Sequence, residues 1–197
     1  MCMERLRYYL AGGRPPHGSR VYPGARDARM PAESVSVELP GTVYFATESP
    51  VWTGGRAFYD ADAAGRAWGR AHLVTLGQFS DIAAQEMYRQ PGPGPDLDVT
   101  EAVRVGRAEL GAGRYETLVH AGERAGVPLL TFTAPWRVND VEWIKPSATY
   151  LSLLASGLLE TGSWGPDPVA EYLSSRPGAA GHWTAETVRN LVRPLPG

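Results

Sequence analysis

Residues 35–46 read VSVELPGTVYFA, and this stretch decides the fold class. Val35, Val37 and Leu39 alternate with polar residues, the period of a half-buried strand. Thr42 to Ala46 continue in residues that favour a pleated surface, and Pro40-Gly41 between them signals a turn. Working outward, strands are expected at GRAFY (55–59) and AWGRAHLVT (67–75), separated by the turn DADAAG, then at YETLVH (115–120) and VPLLTFT (127–133). Strands joined by short turns suggest antiparallel pairing. In a domain of this size such a sheet either packs on helices or closes into a barrel, which removes its open edges.

A short helix interrupts the strands. Thr75 followed by Gln78 has the spacing of a capping box, and the prolines and glycines of QPGPGPD, starting at Gln90, stop the helix. Within QFSDIAAQEMYR (78–89), Phe79, Ile82 and Ala83 form an apolar stripe, and its next position is Glu86. A carboxylate is therefore expected in the last turn of this helix, facing the interior or a cleft. By spacing alone, a buried acid tied to an arginine or to amides and a catalytic acid are equally good readings of it. The C-terminal third supplies more helices. Residues 147–161 place Leu151, Leu154, Ala155, Leu158 and Leu159 on one face, with Ser147 as cap and Gly162 as stop, and shorter helices follow near 167–175 and 184–193. The N-terminus is helix-like and leads into an arginine-rich loop (14–29). The fold class is α+β, and the 197 residues suit one domain spanning 1–197.

Composition excludes several classes of function. A formal charge of −2 argues against a nucleic-acid binder, whose affinity depends on a basic surface. No apolar run approaches the length of a membrane span, and a cytoplasmic protein is expected. The single cysteine, Cys2, forbids an internal disulfide. Neither a G-x-S-x-G elbow, a phosphate-binding loop nor a dinucleotide fingerprint is present. The four histidines, His17, His72, His120 and His182, are scattered singly, so no metal site is expected. In SPVWTGGRAFYD (49–60), Gly54 and Gly55 read first as a bulge or tight turn and Trp52 as core.

Five pieces in order then resemble the γ-glutamylcyclotransferase family: S-P-V-W-T-G-G-R-A (49–57), W-G-R-A-H-L-V (68–74), the helix holding Glu86, G-R-Y (113–115) and P-S-A-T-Y-L (146–151). The resemblance runs over nearly the whole chain. It implies a small mixed, mostly antiparallel β-barrel flanked by helices, with Glu86 as general acid/base at the barrel mouth. It implies conversion of a γ-glutamyl amino acid or amine to 5-oxoproline and a free amine, by attack of the substrate's own α-amino group. No cofactor, metal or protein nucleophile is required, and the implied partner is a small-molecule γ-glutamyl substrate. Tyr150 is implied as a substrate hydrogen-bond partner, with Tyr115, Gly54 and Gly55 beside the pocket. Family members open with a strand ending in Y-G-S-N. Met1 and Arg5 align just after that motif, so the first strand and its loop are expected upstream of an internal methionine, and their loss is expected to abolish turnover. Two other readings stay open: an inactive barrel serving as a binding module, and a metal-dependent amide deacylase of the histone-deacetylase type.

Overall fold

The structure is a computed structural model that describes residues 2–15 and 20–192. It is of the α+β class, with six helices and seven strands in three sheets among these residues. The strands expected from alternation are all present: β1 (Ser34–Pro40), β2 (Thr42–Ser49), β3 (Gly54–Asp60), β4 (Arg66–His72), β6 (Thr117–Arg124) and β7 (Val127–Thr133). Pairing departs from simple succession. β1 pairs with β4 and β2 with β3, so Pro40-Gly41 redirects the chain instead of closing a hairpin. Gly41 sits at φ +94°, where a β-carbon would collide with the Asp60 carbonyl. Among the described residues the hydrogen-bonded ladders do not join into a closed barrel.

The chain divides into two compact units, and β1 and β4 each pass from one to the other. The first unit is built on Ser36–Arg70 and residues 136–192. Its hairpin β2–β3 pairs antiparallel from Thr42 opposite Asp60 to Ser49 opposite Gly54, with a bulge between Ala46 and Glu48. Three helices follow: α4 (Ala148–Leu159), α5 (Pro166–Ser174) and α6 (Ala185–Val192). Ser147 caps α4 by accepting the Tyr150 amide, and α5 opens on a proline whose missing amide hydrogen has no role in the first turn. Phe45, Leu151, Ala155, Val169, Leu173 and Val188 are buried together as the core of this unit.

The second unit is built on Met3–Val35 and Ala71–Pro135. It holds α1 (Met3–Ala11), α2 (Leu76–Glu86), α3 (Thr100–Val105) and the antiparallel sheet β5–β6–β7, where β5 is Arg107–Glu109. Leu6, Tyr9 and Leu10 of α1 pack with Tyr22 and Ile82, and Phe79 stacks on Phe132 at 4.6 Å between ring centroids. No helix among the described residues is long and apolar enough to cross a membrane.

Candidate functional site

The capping box of α2 forms in full: the Thr75 hydroxyl accepts the Gln78 amide at 3.1 Å, and the Gln78 side chain accepts the Thr75 amide at 3.1 Å. The buried face of this helix is more polar than its apolar stripe suggests, because Gln78, Asp81 and Gln85 are buried along with Ile82 and Ala83. Their donors find partners in the unit, while the Gln85 Oε1 is buried without one. Gln78 donates to the carbonyls of Asp27 and Arg29, and Gln85 donates to the carbonyls of Tyr9 and Asp81.

Two acids on α2 meet different fates. Asp81, only 3% exposed in its side chain, accepts the Arg26 amide at 2.8 Å and the Arg26 guanidinium Nε at 3.0 Å. That carboxylate is neutralised and saturated, the arrangement of a structural anchor. Glu86, the last residue of the helix, is half-buried. Its Oε1 accepts a hydrogen bond from the hydroxyl of Tyr9. Among the described residues the Glu86 carboxylate has no ion pair and no second hydrogen bond, so Oε2 is left open to another partner. Tyr9 is fully buried; desolvation first, and then the charge of Glu86, hold its phenol well above the ordinary tyrosine value. It therefore stays protonated and acts as a fixed donor that orients the carboxylate. Sequence reasoning missed Tyr9. Its position on the Leu6–Leu10 stripe signals burial, but nothing local links it to a residue 77 positions away.

Beyond Glu86 the chain closes in a Schellman motif. Arg89 donates to the Ala84 carbonyl at 2.7 Å and Tyr88 to the Gln85 carbonyl at 3.2 Å. The left-handed position of this motif, usually glycine, is Tyr88 at φ +58°. The residue is 68% exposed.

The remaining expected site residues separate by unit. Tyr115 lies with Glu86 in the second unit, half-buried, two residues before β6. Gly54, Gly55 and Tyr150 belong to the first unit. There the glycines open β3, and residues 144–147 run directly over them: Gly55 donates to the Lys145 carbonyl at 2.9 Å, and a β-carbon at either glycine would meet this backbone. Close packing of main chain accounts for both. Tyr150 is buried, stacks on Trp52 at 5.4 Å, and accepts the Ala57 amide on its hydroxyl at 3.3 Å.

Two open cavities lie within the first unit. One, of about 430 Å³, is flanked by Asp60, Asp62, Arg137 and Trp143; the other, of about 690 Å³, by Arg66, Trp68, Tyr172 and Arg176. Neither is lined by Gly54, Gly55 or Tyr150. Asp60 in the smaller cavity is tied up, accepting from the Val138 amide at 3.0 Å and the Arg137 guanidinium at 3.2 Å. Among the described residues no three His, Cys, Asp or Glu side chains converge in a manner that could hold a metal ion.

No family model matches the chain, and no curated protein or solved structure is significantly similar to it.

Proposed function

We propose that this chain is a γ-glutamylcyclotransferase-like enzyme, with Glu86 as its proton-transfer group. The observation that supports this reading is the state of the Glu86 carboxylate: half-buried, oriented through one oxygen by the Tyr9 phenol, and unpaired with any cation among the described residues. An acid held this way is positioned without being neutralised, which is what a group that takes and returns one proton requires.

In the proposed reaction the substrate's neutral α-amine attacks its own γ-carbonyl carbon, forming the ring C–N bond. Glu86 accepts the proton this nitrogen sheds. The same proton goes to the departing amide nitrogen as the old C–N bond breaks, giving 5-oxoproline and a free amine. Ring closure within one molecule gains from proximity, so the protein's task is to hold the glutamyl chain folded against the acid. No cofactor or protein nucleophile takes part. The proposed fold is the family's small mixed barrel, and the sheets and helices described above are the α+β content this reading needs. Of the residues the resemblance implies at the pocket, Tyr115 lies in the unit that holds Glu86 and takes a supporting position in this proposal, whereas Tyr150, Gly54 and Gly55 serve the packing of the first unit.

The test is release of 5-oxoproline from a panel of γ-glutamyl amino acids and γ-glutamyl amines, by the 197-residue chain and by the product of its reading frame extended upstream of Met1. Turnover lost in Glu86→Gln but retained in Asp81→Asn supports the assignment. Equal turnover by wild type and Glu86→Gln removes it.

A further inference from the structure

Next to the proposed acid, two guanidinium groups converge on one exposed aromatic ring, and among the described residues no carboxylate pairs with either. The Arg20 guanidinium lies over the ring of Tyr22 at 4.7 Å and over that of Tyr88 at 4.9 Å, and it donates to the carbonyl of Gln85, the residue before Glu86. The Arg114 guanidinium lies over the same Tyr88 ring at 5.5 Å and donates to its hydroxyl at 3.3 Å. Among the described residues neither arginine has an ion pair. The acid nearest to Arg114 in sequence, Glu116, is already engaged by Arg89 and by the Gly113 amide. The Nε of Arg114 is buried with no hydrogen-bond partner.

An arginine offers five N–H donors in a fixed fork, and here each uses one on the protein. Half-buried cations with spare donors and no counter-charge attract an anion from solution, and stacking on aromatic rings holds the forks in place for it. The ring they share is carried by a residue in the left-handed region, a conformation that opposes any β-carbon. Ring contacts run without a gap from this cluster to the acid: Arg20 lies over Tyr22, Tyr22 packs on Tyr9 at 4.7 Å, and Tyr9 holds Glu86.

We infer that Arg20, Tyr88 and Arg114 form a carboxylate-recognition site that selects γ-glutamyl compounds whose amine portion carries a carboxylate, that is, γ-glutamyl amino acids over γ-glutamyl amines. This inference rests on the cyclotransferase reading for its substrate class. A planar carboxylate matches the guanidinium forks, and the bond from Arg20 to the Gln85 carbonyl holds one fork at the residue before Glu86. The two arginines are specificity residues; they take no part in proton transfer.

The experiment is calorimetric titration of the Glu86→Gln protein, in which turnover does not disturb equilibrium, with γ-glutamylalanine and with γ-glutamylethylamide. The alanine compound is expected to bind about ten-fold tighter or more, the scale of a charge-assisted hydrogen-bonded pair. Adding Arg20→Gln and Arg114→Gln is expected to bring that ratio to about one by weakening the alanine compound alone. The single Arg114→Gln variant, checked by thermal melt, should lose part of the ratio and covers the case in which the double variant does not fold. A ratio near one in the parent, a ratio that survives both substitutions, or no binding of either compound overturns the inference. Release of 5-oxoproline by the wild type is read separately. A carboxylate preference in binding with no 5-oxoproline from either the wild type or its upstream-extended product sinks the cyclotransferase reading and leaves the recognition site standing.

Discussion

The phenol of Tyr9 donates its hydrogen bond to Oε1 of Glu86 across 77 residues of sequence, joining α1 to the end of α2. This contact separates the two acids of one helix by function. Asp81, more deeply buried, is gripped by the Arg26 side chain and amide, while Glu86 meets a neutral donor and keeps its second oxygen open. Depth of burial alone would have picked Asp81. The character of the partner picks Glu86.

The first prediction follows from that contrast. Glu86→Gln keeps the size and the hydrogen-bonding capacity of the side chain but cannot exchange a proton, so turnover should fall by about 10²–10⁴ with the melting temperature nearly unchanged. Asp81→Asn should do the reverse. It leaves the Arg26 guanidinium facing a neutral amide, and the melting temperature should drop while residual turnover per folded molecule stays. Paired assays of 5-oxoproline release and thermal unfolding decide between the two roles.

The second prediction concerns alkaline pH. Burial and the Glu86 charge raise the Tyr9 phenol well above its ordinary value, whereas in the unfolded chain it ionises near pH 10. Above that pH the unfolded state holds fewer protons than the folded state, so stability falls as pH rises, by at most about 1.4 kcal/mol per pH unit for this group. Below it the contribution is fully present. Tyr9→Phe should cost about 1.5 kcal/mol or more near neutrality, through the lost hydrogen bond to a charged group. It should also make the decline above pH 10 shallower. It should not abolish the decline, since burial also pushes Tyr59 up to about 12 and raises Tyr172. Urea titrations of both proteins between pH 7 and 11 measure the two slopes.

The third prediction tests what the Gly54-Gly55 pair is for. A β-carbon at Gly55 would collide with the Ile144 carbonyl, which is held in place as Ile144 donates its own amide to Phe45 at 2.9 Å. Gly55→Ala should therefore destabilise the protein by about 1–3 kcal/mol, read as a lower urea midpoint with an unchanged slope. If the pair acted by touching substrate, the midpoint would stay and the Michaelis constant would rise.

How far the sequence carried can be judged on particular elements. α2 and α4 were legible because their caps are side chains: Thr75 with Gln78, and Ser147. α3 and β5 were not. That helix is six residues long, its cap Val99 makes no side-chain bond, and the strand after it has three residues, so neither establishes a period. Which strands pair was also hidden, because β1 finds β4 through residues far apart in sequence. At the site, Glu86 could be read from a broken stripe, but Tyr9, Arg20 and Arg114 could not. Their roles come from contacts made across 65 residues or more, or, for Arg114, across 26, and no spacing rule reports those.

The last prediction inverts the usual order of alanine and glycine near a helix. In a helix interior alanine is the better residue, because glycine loses more chain entropy on folding. Tyr88 sits instead at the left-handed position of the Schellman motif that ends α2, with φ +58°. Any β-carbon there crowds the following carbonyl, at a cost of roughly 1–2 kcal/mol, and glycine is free of it. Tyr88→Ala and Tyr88→Gly remove the same ring and the same stacking on Arg20 and Arg114, so the difference between them isolates the backbone. Tyr88→Gly should be the more stable variant by about 1 kcal/mol in urea unfolding. Both should lose the preference for the carboxylate-bearing compound equally. If alanine proves as stable as glycine, Tyr88 does not hold the left-handed conformation in solution, and its ring is not fixed against the two arginines.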